Sequence, residues 1–335
     1  MRIVFLDQNH WVSLARAARE PEAYPAEYDV LTRLGRAVEA GETIVPLSAT
    51  HLHETYKIGD PRRRHDMAYT QATLSGGQVL CCRAALLHAQ VTDVLRDAHG
   101  LPPIQRPERW FLSNVFIEAS VELDHPSLDG KPSPKLLAAM RRHPAEFLYD
   151  YLMSADETTR LTAVSMFSAG IAELRQRIED RRDRWREQSL AIRRRAYGAT
   201  LIIDDMDRLV QIARKAGVEI AQVTDLGPAL CKRLVRDVPL YNVERELSVR
   251  LEAQDRPLQE NDFRDMQAYC AAVTYADAVV GENLFVNLAR QARLDETYKT
   301  LLATRLDDPA WLSTLANSPV GSTGSPTNGP SQRKR

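Results

Sequence analysis

The strand-forming segments of this chain lie at its two ends, and this separation most constrains how the chain can fold. Residues 2–6 and 42–48 are short apolar runs near the start, and residues 276–281 and 298–304 are similar runs near the end. Apolar residues at helical spacing separate the runs at each end. Strand, helices, strand and helix in this order are typical of an α/β unit with a parallel sheet. We therefore expect both ends to contribute to one sheet.

The middle of the chain has a different character. Turn-rich pieces such as HPSLDGKPSPK alternate there with long helical stretches, and an amphipathic pattern that includes Ile171 and Leu174 follows a capping box at Ser154 and Glu157. The predicted fold is a three-layer α/β/α sandwich with a short parallel sheet, interrupted by a large helical insertion. Its predicted parts are residues 1–104 (first part of the α/β domain), 105–257 (helical insertion), 258–316 (second part) and 317–335 (a Pro-, Gly- and Ser-rich tail, expected to be disordered).

Composition describes an ordinary globular protein. Of the 335 residues 44% are hydrophobic, and the formal net charge of −1 gives no global field that would attract nucleic acid, so any such affinity must come from local patches. The four cysteines show neither metal-ligand spacing nor a disulfide framework, which suits a reducing compartment. No apolar run approaches the ~20 residues of a membrane span. We expect a cytoplasmic protein without a membrane partner.

Acidic residues stand just after predicted strands or at the start of the helices that follow them. In an open α/β sheet, sites form outside the carboxyl ends of the strands, so these carboxylates are candidates for one shared site. Clustered hard oxygen ligands suit Mg²⁺ or Mn²⁺. The simpler alternatives are a helix cap for Asp7, a helix cap for Asp262 and a turn residue for Asp277. The acids in question are Asp7, Glu54, Asp262, Asp265, Asp277 and Glu282.

Four short segments resemble the PIN-domain nucleases. They are FLDQN, the acid-bearing helix after the second strand, NDFRD, and YADAVVGENLF, and the resemblance covers roughly residues 1–100 and 258–310. It implies a PIN-like fold in which acids hold one or two divalent ions that activate water against a phosphodiester, usually in RNA. The catalytic residues that it implies are Asp7, Glu54, Asp265 and Glu282, with Asp277 competing for the fourth place; the implied metal ligands are Asp7, Asp265 and Glu282.

Two departures from the family pattern keep a second function open. Gln8 stands where the family often has Ser or Thr, and Gly281 stands where it favours Thr, whereas Asn9 fits the pattern. The leading prediction is a nuclease that hydrolyses single-stranded RNA with Mg²⁺ or Mn²⁺, with DNA not excluded. The alternative is a catalytically impaired module that binds RNA or protein, or a second copy of itself, through the helical insertion. The predicted substrate-binding residues are Asn9, Arg62, Arg63 and Arg64, close to the acids.

Other motifs receive simpler interpretations. In TLIIDDMDRL the apolar residues recur at helical spacing, which favours a solvated helix face for Asp204, Asp205 and Asp207. His51 and His53 are two residues apart and point to different helix faces, so zinc is not expected. The loose Arg83–His88 pattern of the helical HEPN ribonucleases arises easily by chance. Nine arginines and five acidic residues lie between positions 173 and 195, a basic stretch that favours a solvated face over an RNA-binding surface.

Overall fold

The computed structural model describes residues 1–123, 131–185 and 187–316, and this part of the chain is mostly helical. The strands are β1 (Arg2–Leu6), β2 (Thr43–Ile44), β3 (Val79–Leu80), β4 (Leu112–Ser113), β5 (Ala278–Val280) and β6 (Leu301–Ala303). The helices are α1 (Gln8–Arg19), α2 (Pro25–Glu39), α3 (Ala49–Lys57), α4 (Pro61–Ser75), α5 (Arg83–Ala98), α6 (Pro134–Arg142), α7 (Pro144–Ser154), α8 (Glu157–Trp185), α9 (Leu190–Asp204), α10 (Met206–Lys215), α11 (Gly227–Asp237), α12 (Pro239–Leu251), α13 (Glu260–Tyr275), α14 (Asn283–Gln291), α15 (Leu294–Tyr298) and α16 (Pro309–Ala316).

The two ends of the chain form one four-stranded sheet. Its strand order is β2-β1-β5-β6, and all three neighbouring pairs are parallel. Val4 lies opposite Ala278 and Leu6 lies opposite Val280, so β1 and β5 end at the same edge. β3 and β4 form a separate antiparallel pair, and a parallel bridge between Leu47 and Val79 joins β3 to the chain just after β2. The prediction that the distant ends share a parallel sheet is confirmed.

Both faces of the sheet are covered by helices, which explains why its strands are continuous apolar runs. Successive side chains of a strand point to opposite faces. Ile3 and Phe5 pack into a core that includes residues of α5, α12 and α13. Val4 and Leu6 pack into a second core that includes residues of α1, α2, α4 and α16. The general α/β class is therefore as predicted.

The helical middle packs into the same cores. Leu201 of α9, Leu234 of α11 and Tyr241 of α12 are buried in the core that contains Phe5, and α7 lies against α4. The amphipathic pattern after residue 154 is two helices, because α8 ends at Trp185 and Ser189 caps α9. The predicted Ser154–Glu157 capping box is wrong: Ser154 ends α7, and Asp156 caps the first turn of α8 by accepting from the Thr159 N–H at 2.9 Å.

Some predictions concern parts of the molecule that the structure does not describe. The tail at residues 317–335 lies outside the described residues, as do the side chains of Ile171 and Leu174 in the amphipathic pattern. Among the helices within residues 1–123, 131–185 and 187–316, none combines the length and the apolar character needed to cross a bilayer.

Candidate acidic site at the carboxyl edge of the sheet

Asp7 ties the ends of β1 and β5 together. Its backbone N–H donates to the Val280 carbonyl at 2.9 Å, and its Oδ2 accepts from the Glu282 N–H at 3.1 Å. Its Oδ1 accepts from the Asn9 N–H at 3.3 Å and so caps α1. The side chain is 5% exposed, and burial raises its pKa although these N–H bonds act to lower it. Asp7 is therefore a helix cap, as the simpler alternative held, and it also bonds the end of β5.

Glu282 stands beside Asp7 at the end of β5. Glu282 is exposed to solvent, and the side-chain amide of Asn9 donates to its Oε1. Burial and the charge of Asp7 raise the pKa of Glu282, whereas the Asn9 bond and the charge of Arg256 lower it. Asn9, predicted to bind substrate, thus holds a carboxylate in this structure.

Asp265 brings a third carboxylate to the same place from α13. It is half-buried, and burial together with the charges of Asp7, Glu282, Asp262 and Glu54 raises its pKa from 3.8 to about 8. Carboxylates that raise one another's pKa in this way repel each other when ionised, and a bound cation relieves that repulsion. The three acids come from the β1–α1 junction, from α13 and from the β5–α14 junction, so the fold itself assembles them.

Tyr269 is a member of the site that sequence reasoning missed. It lies one helical turn after Asp265, is 1% exposed, and its hydroxyl has no hydrogen-bond partner in the described part of the chain. The charges of Asp7, Asp265 and Glu282 all act on this hydroxyl, and the nearby N–H of Glu282 donates to Asp7 instead. A Cβ placed on Gly281 would lie 1.4 Å from the hydroxyl oxygen. Gly281 thus makes room for Tyr269.

Glu54 is near the other acids but already holds two cations. Arg264 Nη1 donates to its Oε1 at 2.7 Å and Lys57 Nζ donates to the same oxygen at 3.0 Å. Arg264 is almost fully buried and also bonds Glu260 and Ser168. A role for Glu54 as a metal ligand would require this ion pair to open. In the sequence, Arg264 was marked only by its position directly before Asp265.

Asp277 lies at the opposite edge of the sheet. It directly precedes β5, and its Oδ2 accepts from the Ile3 N–H at 2.7 Å at the start of β1. The four steps along the chain from Ile3 to Asp7 span roughly 13 Å. The structure therefore does not bring Asp277 to the predicted site, and of the two acids left open only Glu282 lies beside Asp7.

The arginines predicted to bind substrate are not among the charges that shift the pKa values of Asp7, Asp265 and Glu282. Arg62 and Arg63 are exposed on the first turn of α4, and Arg64 donates to the Ile58 carbonyl at 2.8 Å. Arg256 is a cation whose charge acts on Glu282, and it also pairs with Asp262 at 2.9 Å. Asp262 accepts from the Gln259 N–H at 2.7 Å and is a capping residue, as its simpler interpretation held.

The remaining motifs serve packing. His51 is buried and accepts from the Ser48 N–H at 3.0 Å, in a capping role. Arg83 pairs with Glu244 at 2.9 Å and with Asp205 at 3.2 Å. The solvated-face interpretation is therefore wrong for Asp205, because this residue stands between α9 and α10 and faces the protein.

Some side chains of the arginine-rich stretch bond other parts of the protein. Arg182 donates to the Arg256 carbonyl at 2.9 Å, Arg181 to Glu252 at 3.1 Å, and Arg194 to Glu246 at 2.6 Å. These contacts fasten α8 and α9 to α12 and to the segment before α13. The stretch is therefore divided: these three arginines bond other parts of the protein, whereas Arg175, Arg177, Arg184 and Arg195 are exposed, as the solvated-face interpretation predicted.

The donor set suits a hard cation better than zinc. It offers the carboxylates of Asp7, Asp265 and Glu282 and the phenol of Tyr269, which are hard oxygen ligands. As the side chains stand, no three His, Cys, Asp or Glu groups in the described ranges are placed to hold one ion, so binding would require carboxylates to turn inward.

The chain matches no protein-family model, no curated protein and no solved structure.

Proposed function

We propose that the protein is a PIN-like, divalent-metal-dependent nuclease that hydrolyses phosphodiester bonds in single-stranded RNA. The observation that carries the proposal is the convergence of Asp7, Asp265 and Glu282, from three separate segments, at the carboxyl edge of a parallel sheet. Sites of open α/β sheets lie at this edge. Mutual repulsion destabilises such a group of acids unless a cation binds there.

Asp7, Asp265 and Glu282 would hold Mg²⁺ or Mn²⁺, and the protein would supply the surroundings. A bound ion of this kind polarises a phosphoryl oxygen and lowers the pKa of a water that attacks in line. Tyr269 supports the assignment, because its buried hydroxyl can donate a hydrogen bond into the site. Asn9 fixes Glu282, and the Glu54–Arg264 pair lies at the margin, where it adjusts the local charge.

RNA as the substrate follows from the sequence resemblance, and the charge distribution limits its affinity. In the arginine-rich stretch Arg181, Arg182 and Arg194 bond acids and carbonyls, whereas Arg184 and Arg195 are exposed, as are Arg62 and Arg63 near the start of α4. Few phosphate contacts imply weak binding that falls with salt. Neutralising Arg62 and Arg63 should therefore weaken RNA binding without changing metal affinity.

The test is cleavage of a labelled single-stranded RNA with Mn²⁺ or with EDTA, using two matched acid variants. Glu282→Gln removes a proposed ligand, whereas Asp277→Asn removes the charge of a carboxylate at the opposite edge and keeps an oxygen that can accept from Ile3. We expect cleavage by the parent and by Asp277→Asn, and none by Glu282→Gln or in EDTA. Equal cleavage by both variants would contradict the proposal.

The alternative, a binding module without catalysis, is favoured by one observation. The Glu54 carboxylate is held by Arg264 and Lys57, so the second of the four acids that the resemblance implies is not free to bind an ion. Such a module would retain RNA or a protein partner on the surface of the middle helices, in Mn²⁺ and in EDTA alike, and would cut nothing.

A further inference from the structure

A large cavity lies next to the acidic site, on the other side of α3 and α13. Its volume is about 530 Å³, within the range of small-molecule sites. His53 lines it and is followed by Glu54; Met266 and Gln267 line it and directly follow Asp265. The cavity therefore shares two helices with the acidic site.

The cavity lies at the same edge of the sheet as the acids. Ser48 follows the β2 segment and Cys81 follows β3, and the bridge between Leu47 and Val79 shows that these two segments run parallel. Their carboxyl ends therefore point to the edge at which Asp7 ends β1. A strand of RNA bound along this edge would pass both the acids and the cavity.

The charges around the cavity balance. Its lining contains three arginines and three carboxylates: Arg83, Arg177 and Arg181, with Asp204, Asp205 and Glu244. His53 is neutral near pH 7, because burial lowers its pKa to about 4, and burial raises the pKa of the thiols of Cys81 and Cys270. A lining with many donors and acceptors but no net charge matches an uncharged polar heterocycle better than a phosphate.

One group in the wall lacks the partner that a ligand would supply. Arg181 Nε donates to Glu252 at 3.1 Å, but its Nη2 is buried and has no hydrogen-bond partner among the described residues. The guanidinium carbon lies 4.6 Å from the centroid of the Tyr197 ring, which also lines the cavity. Buried N–H groups need acceptors, and a nucleobase carries ring nitrogens and carbonyl oxygens that accept such hydrogens.

We propose that this cavity binds one nucleobase of the RNA strand, which fixes the position of cleavage relative to that base. The inference rests on the proposed function for its substrate class. One of the ring or carbonyl acceptors of the base would take the free Nη2 hydrogen, so the base would lie at the edge of the Arg181 guanidinium, whose face packs over Tyr197. Leu201 and Met266 supply apolar wall around it.

The test is a calorimetric titration with adenosine, guanosine, cytidine, uridine and ribose 5-phosphate, all in EDTA so that no cleavage occurs. Thr200→Trp fills the cavity from its half-exposed wall. Thr32→Trp is the matched control, because Thr32 is also half-exposed and its hydroxyl also donates to the carbonyl four residues earlier, but on α2. Arg181→Lys is a second variant that keeps a cation for Glu252 and removes the planar group.

We expect at least one nucleoside to bind the parent and Thr32→Trp, and ribose 5-phosphate to bind neither. Thr200→Trp and Arg181→Lys should each weaken nucleoside binding roughly tenfold or more. The inference is overturned if no nucleoside binds at about 10 mM, if ribose 5-phosphate binds as well as the nucleosides, or if a folded Thr200→Trp binds like the parent. Nucleoside binding without metal-dependent cleavage would contradict the nuclease proposal alone.

Discussion

Replacing Asp265 by asparagine should stabilise the metal-free protein at alkaline pH. The folded state raises the pKa of this carboxyl from 3.8 to about 8. Between these pH values the folded state keeps a proton that the unfolded state has lost, so the free energy of unfolding falls as the pH rises through this window. The loss is complete above pH 8 and absent below pH 3.8.

The size of the effect follows from the shift. Four pKa units at about 1.4 kcal/mol each give an upper limit of about 6 kcal/mol for the loss of unfolding free energy. We expect about 2–4 kcal/mol, because the neighbouring acids can move apart when Asp265 ionises. Urea unfolding in EDTA at pH 5 and at pH 8.5 measures it. Asp265→Asn should exceed the parent in stability at pH 8.5 and by much less at pH 5, with Asp277→Asn as the control. Equal or lower stability of Asp265→Asn at pH 8.5 would refute the repulsion on which the site rests.

Three further variants test neighbouring residues. Tyr269→Phe should raise the free energy of unfolding in EDTA by about 1 kcal/mol, since a buried hydroxyl without a partner is lost, and should slow RNA cleavage; a clear loss of stability would mean that the hydroxyl is already bonded. Gly281→Ala should lower the unfolding free energy by about 1–3 kcal/mol or more, because its Cβ would meet the Tyr269 hydroxyl, and adding Tyr269→Phe should recover part of this in urea unfolding. Glu54→Gln should lower the unfolding free energy by about 1–3 kcal/mol, because the ion pair with Arg264 is lost. Its Mn²⁺ affinity, measured by calorimetry, should change less than that of Glu282→Gln. A larger change for Glu54→Gln would make Glu54 a ligand.

The sheet and two of its acids could be predicted because they depend on local patterns. Asp7 directly follows five strand residues, and Glu282 follows the next apolar run near the end of the chain. The choice between Glu282 and Asp277 also lay in the sequence, since Asp277 precedes its strand and the starts of parallel strands lie at the opposite edge. That β1 and β5 belong to one sheet followed from the strand-poor middle between them, whereas their position side by side did not.

Other features depend on packing that the sequence does not reveal. The charged face of α8 would have the same composition if all its arginines were solvated. In the structure Arg182 instead donates to carbonyls 72 and 74 residues away. The apolar faces of α9 and α12 fit a separate domain as well as the core of the sheet. Tyr269 gave a signal, one turn after Asp265 on the same helix face. Only the structure shows that the Tyr269 hydroxyl lies next to Gly281 and reaches the acids.

The central claim is that Asp7 and its neighbours bind a divalent ion, and a titration of the metal-free protein with Mn²⁺ tests it most directly. Asp7→Asn keeps an oxygen that can cap α1 and removes one ligand charge, while Asp277→Asn removes a charge from the opposite edge. The account predicts saturable Mn²⁺ binding by the parent and by Asp277→Asn, and binding by Asp7→Asn that is at least roughly tenfold weaker. Absence of Mn²⁺ binding by the parent, or equal binding by a folded Asp7→Asn, would contradict it.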